Sequence, residues 1–152
     1  FFGLKGQVMT PFGRLLSAVL TLDAGSFYDG RRLTVGIRPI WGISPDLSLS
    51  GYYQFNTVDF SGRGQILNAH LAQVRLLATL STKFSAAAFV QYDGALDEAT
   101  ANIRLRINPR EGNDLYLVVN DTLYTSRRRH HPPRPPYASR AVLIKYSYTF
   151  VL

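Results

Sequence analysis

Two groups of cationic side chains are the residues best suited to chemistry here. The first is the run Arg127-Arg128-Arg129-His130-His131-Pro132-Pro133-Arg134-Pro135-Pro136. Guanidinium groups donate hydrogen bonds in a planar fork that matches phosphate, sulfate and carboxylate oxygens. Arg127, Arg128, Arg129 and Arg134 are therefore candidates for binding an anion, such as lipopolysaccharide phosphate or a sulfated sugar. The competing reading is a solvated loop kept extended by its prolines. His130 and His131 adjoin without a third ligand at metal-site spacing, so no metal is expected. The second group is Arg38, Arg75, Arg104, Arg106 and Lys145. These five are far apart in the chain, so only a scaffold that turns them to one face can make them a site.

Nucleophile and acid–base motifs are missing from the sequence. There is no G-x-S-x-G, no H-E-x-x-H and no phosphate loop. Asp97 and Glu98 are adjacent carboxylates, but they fall where a solvated turn is expected rather than a glycosidase pair. We expect no enzyme activity and no cofactor.

The scaffold is written in alternation. From Val142 the even positions are Val142, Ile144, Tyr146, Tyr148, Phe150 and Leu152, all apolar or aromatic. The odd positions are mixed and carry Lys145. Such a dyad period makes a strand with one oily and one wetter face. Similar segments are expected around 13–28, 32–43, 46–57, 70–81, 83–93, 100–108 and 114–121, with a weaker one at 2–9. Leu33, Val35, Ile37 and Trp41 oppose Thr34 and Arg38. Val74 and Leu76 oppose Gln73 and Arg75. Ile103 and Leu105 oppose Asn102, Arg104 and Arg106. The expectation is that no oily stripe contains a charge. Pro39 interrupts its segment and predicts a bulge or a local break, because proline cannot donate to a ladder.

A charge facing lipid at mid-depth costs about 2–4 kcal/mol, so a membrane barrel must sort its charges in this way. A soluble β-sandwich sorts them too, with the oily face inward. The spacing of the segments favours the membrane. Long intervals at about 121–140 and 57–69 alternate with short ones at Ser81-Thr82-Lys83 and Ser44-Pro45-Asp46. Outer-membrane barrels have short periplasmic turns and longer outer loops. The basic, proline-rich stretch of about 121–140 is then an outer loop. The wetter face with its five cations becomes the lumen. Either the lumen favours anions, or it is plugged and the cations pair with acids. The tendency of small barrels to fill their interiors argues for the second reading.

Composition agrees with a barrel. The 152 residues suit one domain, and no run of eighteen apolar residues supplies a transmembrane helix. There is no cysteine. The net charge of +7 is largely local, since residues 126–140 hold five Arg and no acid, leaving 12 basic and 10 acidic side chains elsewhere. Without a recognition helix or an RNA-binding signature, nucleic acid is not an expected partner. The Phe-Phe-Gly start leads us to expect a processed chain or a fragment. Strand parity, counted back from a periplasmic C-terminus, predicts at least one further strand before Phe1.

Several short motifs, taken in order, carry a resemblance. They are Gly25-Ser-Phe-Tyr-Asp-Gly-Arg31, Gln91-Tyr-Asp93, Asn102-Ile-Arg-Leu-Arg106, Pro109 to Gly112, Asn113-Asp-Leu-Tyr-Leu-Val-Val-Asn120 and Lys145-Tyr-Ser-Tyr. From about Gly25 onward the chain resembles the C-terminal barrel of an uncharacterised family of large bacterial outer-membrane proteins. In that family a carbohydrate-binding-module-like β-sandwich precedes the barrel. The resemblance implies an outer-membrane location and a missing N-terminal domain or partner chain. It implies no substrate.

The expected fold is an all-β, antiparallel transmembrane β-barrel. About eight or nine strands lie in this chain, as part of a larger barrel. The expected role is a membrane anchor or a passive pore, with outer-membrane lipid and lipopolysaccharide as partners. The rivals are a soluble β-barrel or sandwich that binds an apolar ligand, and the final portion of a plugged, energised transporter.

Overall fold

A computed structural model describes residues 2–126 and 132–149. Nine strands follow one another: β1 (Gly3–Met9), β2 (Leu16–Phe27), β3 (Gly30–Ser44), β4 (Leu47–Phe60), β5 (Gln65–Ser81), β6 (Phe84–Asp93), β7 (Glu98–Arg110), β8 (Asn113–Tyr124) and β9 (Tyr137–Tyr148). A single 3-10 turn, Ser61–Arg63, joins β4 to β5. The strands form one antiparallel sheet in chain order from β1 to β9. The expected all-β antiparallel class is present, and every expected segment lies within a strand or overlaps one. The sheet is not closed. β1 and β9 are its two edges, so a complete barrel is not formed by these residues alone.

The connections fall at two ends. One end holds residues 28–29, 61–64, 94–97 and 125–136, and is here termed the loop end. The other holds 10–15, 45–46, 82–83 and 111–112, and is termed the turn end. The expected alternation of long and short connections is therefore only partial. The interval 57–69 is mostly ladder, because β4 runs on to Phe60 and β5 starts at Gln65. The stretch at 121–140 shortens to 125–136 for the same reason. The six residues at 10–15 are also longer than the two at 28–29 on the opposite end.

Local chemistry explains the tight turns. At Pro45-Asp46 the Ser44 hydroxyl accepts the Asp46 N–H at 3.3 Å. At Thr82-Lys83 the Ser81 hydroxyl accepts the N–H groups of Lys83 and Phe84. At Glu111-Gly112 the glycine takes φ +79, a region costly for side-chain-bearing residues. A register shift precedes each of these turns. Pro39 produces a local break rather than a bulge. Its ladder with β2 is intact at Ala18, while pairing with β4 lapses between Ile37–Tyr53 and Ile40–Ser50 without a change of register. Gly51 lies across from this break, and a Cβ there would sit 3.2 Å from the Pro39 ring.

What the sheet lacks is a core. Among the described residues no hydrophobic side chain is buried, and Ser17 is the only buried polar one. The accessible surface is 11322 Å² for a 17.0 kDa chain. A compact soluble monomer of that mass exposes about 7,700 Å². Exposed apolar side chains contribute to the surplus. In β3 the stripe residues Leu33, Val35, Ile37 and Trp41 are exposed while Arg32, Thr34 and Gly36 between them are partly or fully buried.

Candidate functional site

Directly paired residues in an antiparallel sheet share a face, so the register places every side chain. Arg38 pairs with Val19, Arg75 with Ser50 and Phe89, Arg104 with Ala87, Arg106 with Ser85, and Lys145 with Tyr116. Traced rung by rung, all five cations lie on one face, opposite the apolar stripe. That face is mixed, with Val19, Ile40, Phe89, Val118 and Leu143 among its rungs, and it carries a polar network. Thr34 Oγ1 and Gln54 Nε2 each donate to Asn56 Oδ1 at 2.8 Å, Gln73 Nε2 donates to Gln91 Oε1 at 3.0 Å, and Asn102 donates to Asn120.

The two faces are organised on a slant. At the loop end the stripe on β2, β3 and β4 stops at Ser26, Arg31 and Asp59, which share a rung. On β8 and β9 it stops at Asp121 and Arg140. The rung of that pair crosses β7 at Ala101, β6 at Val90, β5 at Val74 and β4 at Gly51, eight residues from Asp59. The turn end descends likewise. The rung of Leu16, where the β2 stripe ends, reaches β9 at Val142, and the stripe continues six residues to Tyr148. The band therefore steps down by about one residue per strand. With a rise of about 3.3 Å and a strand spacing of about 4.8 Å, a level band requires strands tilted by roughly 35°.

Aromatic rings lie on this face too. Trp41, Phe84, Tyr146 and Tyr148 lie towards the turn end, while Tyr53, Tyr92 and Tyr137 share one rung that crosses the middle of the stripe on β4.

The cations follow the same slant. The rung of Arg75 passes through Ser50 to Ile40, two residues beyond Arg38. From Arg75 it passes through Phe89 to Asn102, two residues short of Arg104. The rung of Arg104 passes through Val118 to Leu143, two residues short of Lys145. Arg38, Arg75, Arg104 and Lys145 thus step one residue per strand across β3, β5, β7 and β9. Each lies near the middle of the apolar stripe on its own strand. Arg106 sits two residues further towards the turn end than Arg104, on the rung of Lys145.

Acids on this face keep to its two borders. Asp23 accepts ion pairs from Lys5 at 3.3 Å and Arg32 at 3.5 Å. Asp93 and Glu98 oppose each other at the loop end. Asp114, at the turn end, holds Arg106 at 2.7 Å and accepts from Asn108 at 3.0 Å. Among the described residues Arg38, Arg75, Arg104 and Lys145 have no carboxylate within ion-pair distance, so acid pairing accounts for Arg106 only. Arg38 instead lies over the Tyr52 ring, 5.1 Å from its centroid, and Arg75 lies over Phe89 at 5.5 Å. These two stacked guanidinium groups, with Ser50 and Gln73, line a recess of about 320 Å³.

Two expectations need correction. Charge does enter the apolar face, as Arg31 and Asp59 on one rung and as the Asp121–Arg140 pair on another. All four lie at its loop-end limit; Arg31, Asp59 and Arg140 fall outside the expected stripes, while Asp121 is the last residue of the expected 114–121 segment. The cation set was also too short. Arg32, the first residue of the expected 32–43 segment, shares the parity of Arg38 and lies on the same face, a signal that parity alone carried.

Of the loop cations, Arg127, Arg128 and Arg129 lie outside the described residues. Arg134 stands at the loop end, 4.7 Å over the Tyr124 ring, and is not brought to the five. Nearby, Ser126 Oγ and the Thr125 N–H both bond to Asp97, which anchors the start of this connection on the β6–β7 loop.

No family model matches this chain, and no curated protein or solved structure is similar to it.

Proposed function

We propose that this chain is part of the wall of a bacterial outer-membrane β-barrel and serves as a membrane anchor or a passive pore. One observation carries the reading: the apolar band descends about one residue per strand. In a tilted barrel such a band is level, as a bilayer requires, and the implied roughly 35° falls within the range of outer-membrane barrels. A sandwich core has no plane to respect and needs no such slant. The missing core points the same way, because lipid can cover one face without burying it in protein. The cation-bearing face is then the lumen, and outer-membrane lipid is the partner of the other. The two open edges suit a barrel completed by further strands, which accords with the resemblance to a larger family protein.

Membrane insertion is tested by fractionation and sedimentation. The protein is expected in the outer-membrane fraction, folded and β-rich by far-ultraviolet circular dichroism only with detergent or lipid. A monodisperse, folded monomer in plain buffer overturns the assignment. A soluble binder of apolar ligands draws on a cavity of about 540 Å³ along Leu4, Ala24 and Leu33, and that result would favour it.

A further inference from the structure

We infer that Arg38, Arg75, Arg104 and Lys145 form a level cationic girdle at the waist of the lumen, which admits small anions and binds oxyanions at Arg38 and Arg75. The inference rests on the barrel reading above and adds a solute class to it.

Position is the first support. The four cations lie on alternate strands and descend with the apolar band, so they share one height wherever that band is level. Chance scatter on that face would not follow the slant. Their height is the middle of the band, where low-dielectric walls on the lipid side focus the field of a fixed charge.

Charge balance is the second. Carboxylates on the same face sit near the two borders, and those at Asp23 and Asp114 are engaged by Lys5, Arg32 and Arg106. At the waist the described companions are neutral: Gln73, Gln91, Asn102 and Asn120. Four positive charges there lack protein counter-ions among the described residues. Mobile anions must balance them, and a ring of Arg and Lys is a known physical basis of anion preference in pores.

Orientation is the third. Arg38 and Arg75 each lie over an aromatic ring and flank one recess. Stacking engages the guanidinium face and leaves the in-plane N–H donors available. Two such forks suit a tetrahedral or planar oxyanion better than a halide, because they can bond separate oxygens. Phosphate is the natural probe.

The test uses the full-length protein in planar lipid bilayers under a KCl gradient. The reversal potential is expected on the chloride side. Adding phosphate should reduce the chloride current in a saturable manner. Replacing Arg38, Arg75, Arg104 and Lys145 together by Gln should move the reversal potential towards zero and abolish the phosphate effect. Arg32→Gln, at an acid-paired position nearer the loop end, should change neither. If the fourfold variant fails to fold, Arg38→Gln and Arg75→Gln singly should each weaken the phosphate effect. Potassium selectivity, or chloride selectivity that survives the fourfold change, overturns the girdle. So does a correctly inserted, detergent-folded barrel that carries no current. Failure to enter membranes at all overturns the barrel reading itself and is seen separately, by flotation with vesicles.

Discussion

Arg140 reaches across from β9 to Asp121 on β8, with Nη2 2.6 Å from Oδ2, and both side chains lie on the apolar face of the sheet. The guanidinium also lies 4.1 Å from the Tyr137 ring centroid. A charge pair on such a face is costly at the bilayer midplane but cheap at headgroup depth. Under the proposed barrel reading, its place at the loop-end limit of the stripe is the membrane boundary. Asp121 Oδ1 already has no partner among the described residues. Removing Arg140 alone leaves that carboxylate uncompensated. We predict that Arg140→Leu destabilises the folded protein by more than the double change Asp121→Leu with Arg140→Leu, with a coupling of about 1 kcal/mol. A double-mutant cycle from urea unfolding in lipid vesicles measures it. Additive losses would show that the pair is incidental.

Depth makes a second prediction. Leu105 pairs with Ala86 and Leu117 in the middle of the apolar band, and Asn102 lies on the other face of the same strand. Leu105→Arg should cost about 2–4 kcal/mol of folding into a bilayer, the penalty of a cation at mid-depth. Asn102→Arg should cost far less, since it only adds to the cation-bearing face. The same vesicle-based unfolding measurement reads both. Equal penalties would reverse or cancel the assignment of faces.

The single tryptophan supplies a third test. Trp41 is 43% exposed and belongs to the turn-end border of the band. Its fluorescence should shift to shorter wavelength on insertion and be quenched by acyl chains brominated near the headgroup. Quenching should weaken with bromines placed at the chain ends. An emission maximum that stays at the water value, with no quenching by any brominated lipid, would place Trp41 outside the membrane.

A fourth prediction concerns Pro39 and Gly51. The ladder lapses beside Pro39, and the hydrogen of Gly51 makes room for its ring. Gly51→Val should destabilise by about 1–3 kcal/mol through overpacking. Pro39→Ala in the same chain should recover part of that loss, because the obstructing ring is gone. If the double variant is no better than Gly51→Val alone, the β-branched side chain is acting elsewhere.

Much of this architecture could be read before the fold was known, for a simple reason. A period of two is local, so Val74 against Arg75 and Ile103 against Arg104 were legible from neighbours alone. Strand ends were less so. Beyond Phe55 the residues Val58, Phe60, Ile66 and Leu67 put apolar side chains on both parities, and the pattern dissolves although the ladder continues. The slant of the band was illegible in principle, because it depends on which residues pair across strands. Asp121 and Arg140 were missed similarly. Arg140 stood just outside a recognised stripe and Asp121 at the end of a segment, and only register shows that they meet. The cation girdle inherits this property: its members were named from parity, but their common height exists only in the pairing.

The connection between β8 and β9 is the place where sidedness can be tested directly. It spans residues 125–136, and its sequence holds Arg127, Arg128 and Arg129, which trypsin can cut. It leaves β8 at the loop end, together with 28–29, 61–64 and 94–97. In outer-membrane barrels the longer connections face outward, so trypsin added to intact cells should cleave here. The barrel should survive the cut, because β8 and β9 remain joined by their ladder from Asn113–Tyr148 to Leu123–Tyr137. At its start the connection is held to Asp97 through Thr125 and Ser126. Replacing Asp97 by Ala should therefore raise the cleavage rate without changing its site. Should these arginines contact lipopolysaccharide phosphate, added salt should also speed cleavage by screening that attraction. Cleavage seen only after the outer membrane is opened would invert the sheet, placing the loop end in the periplasm.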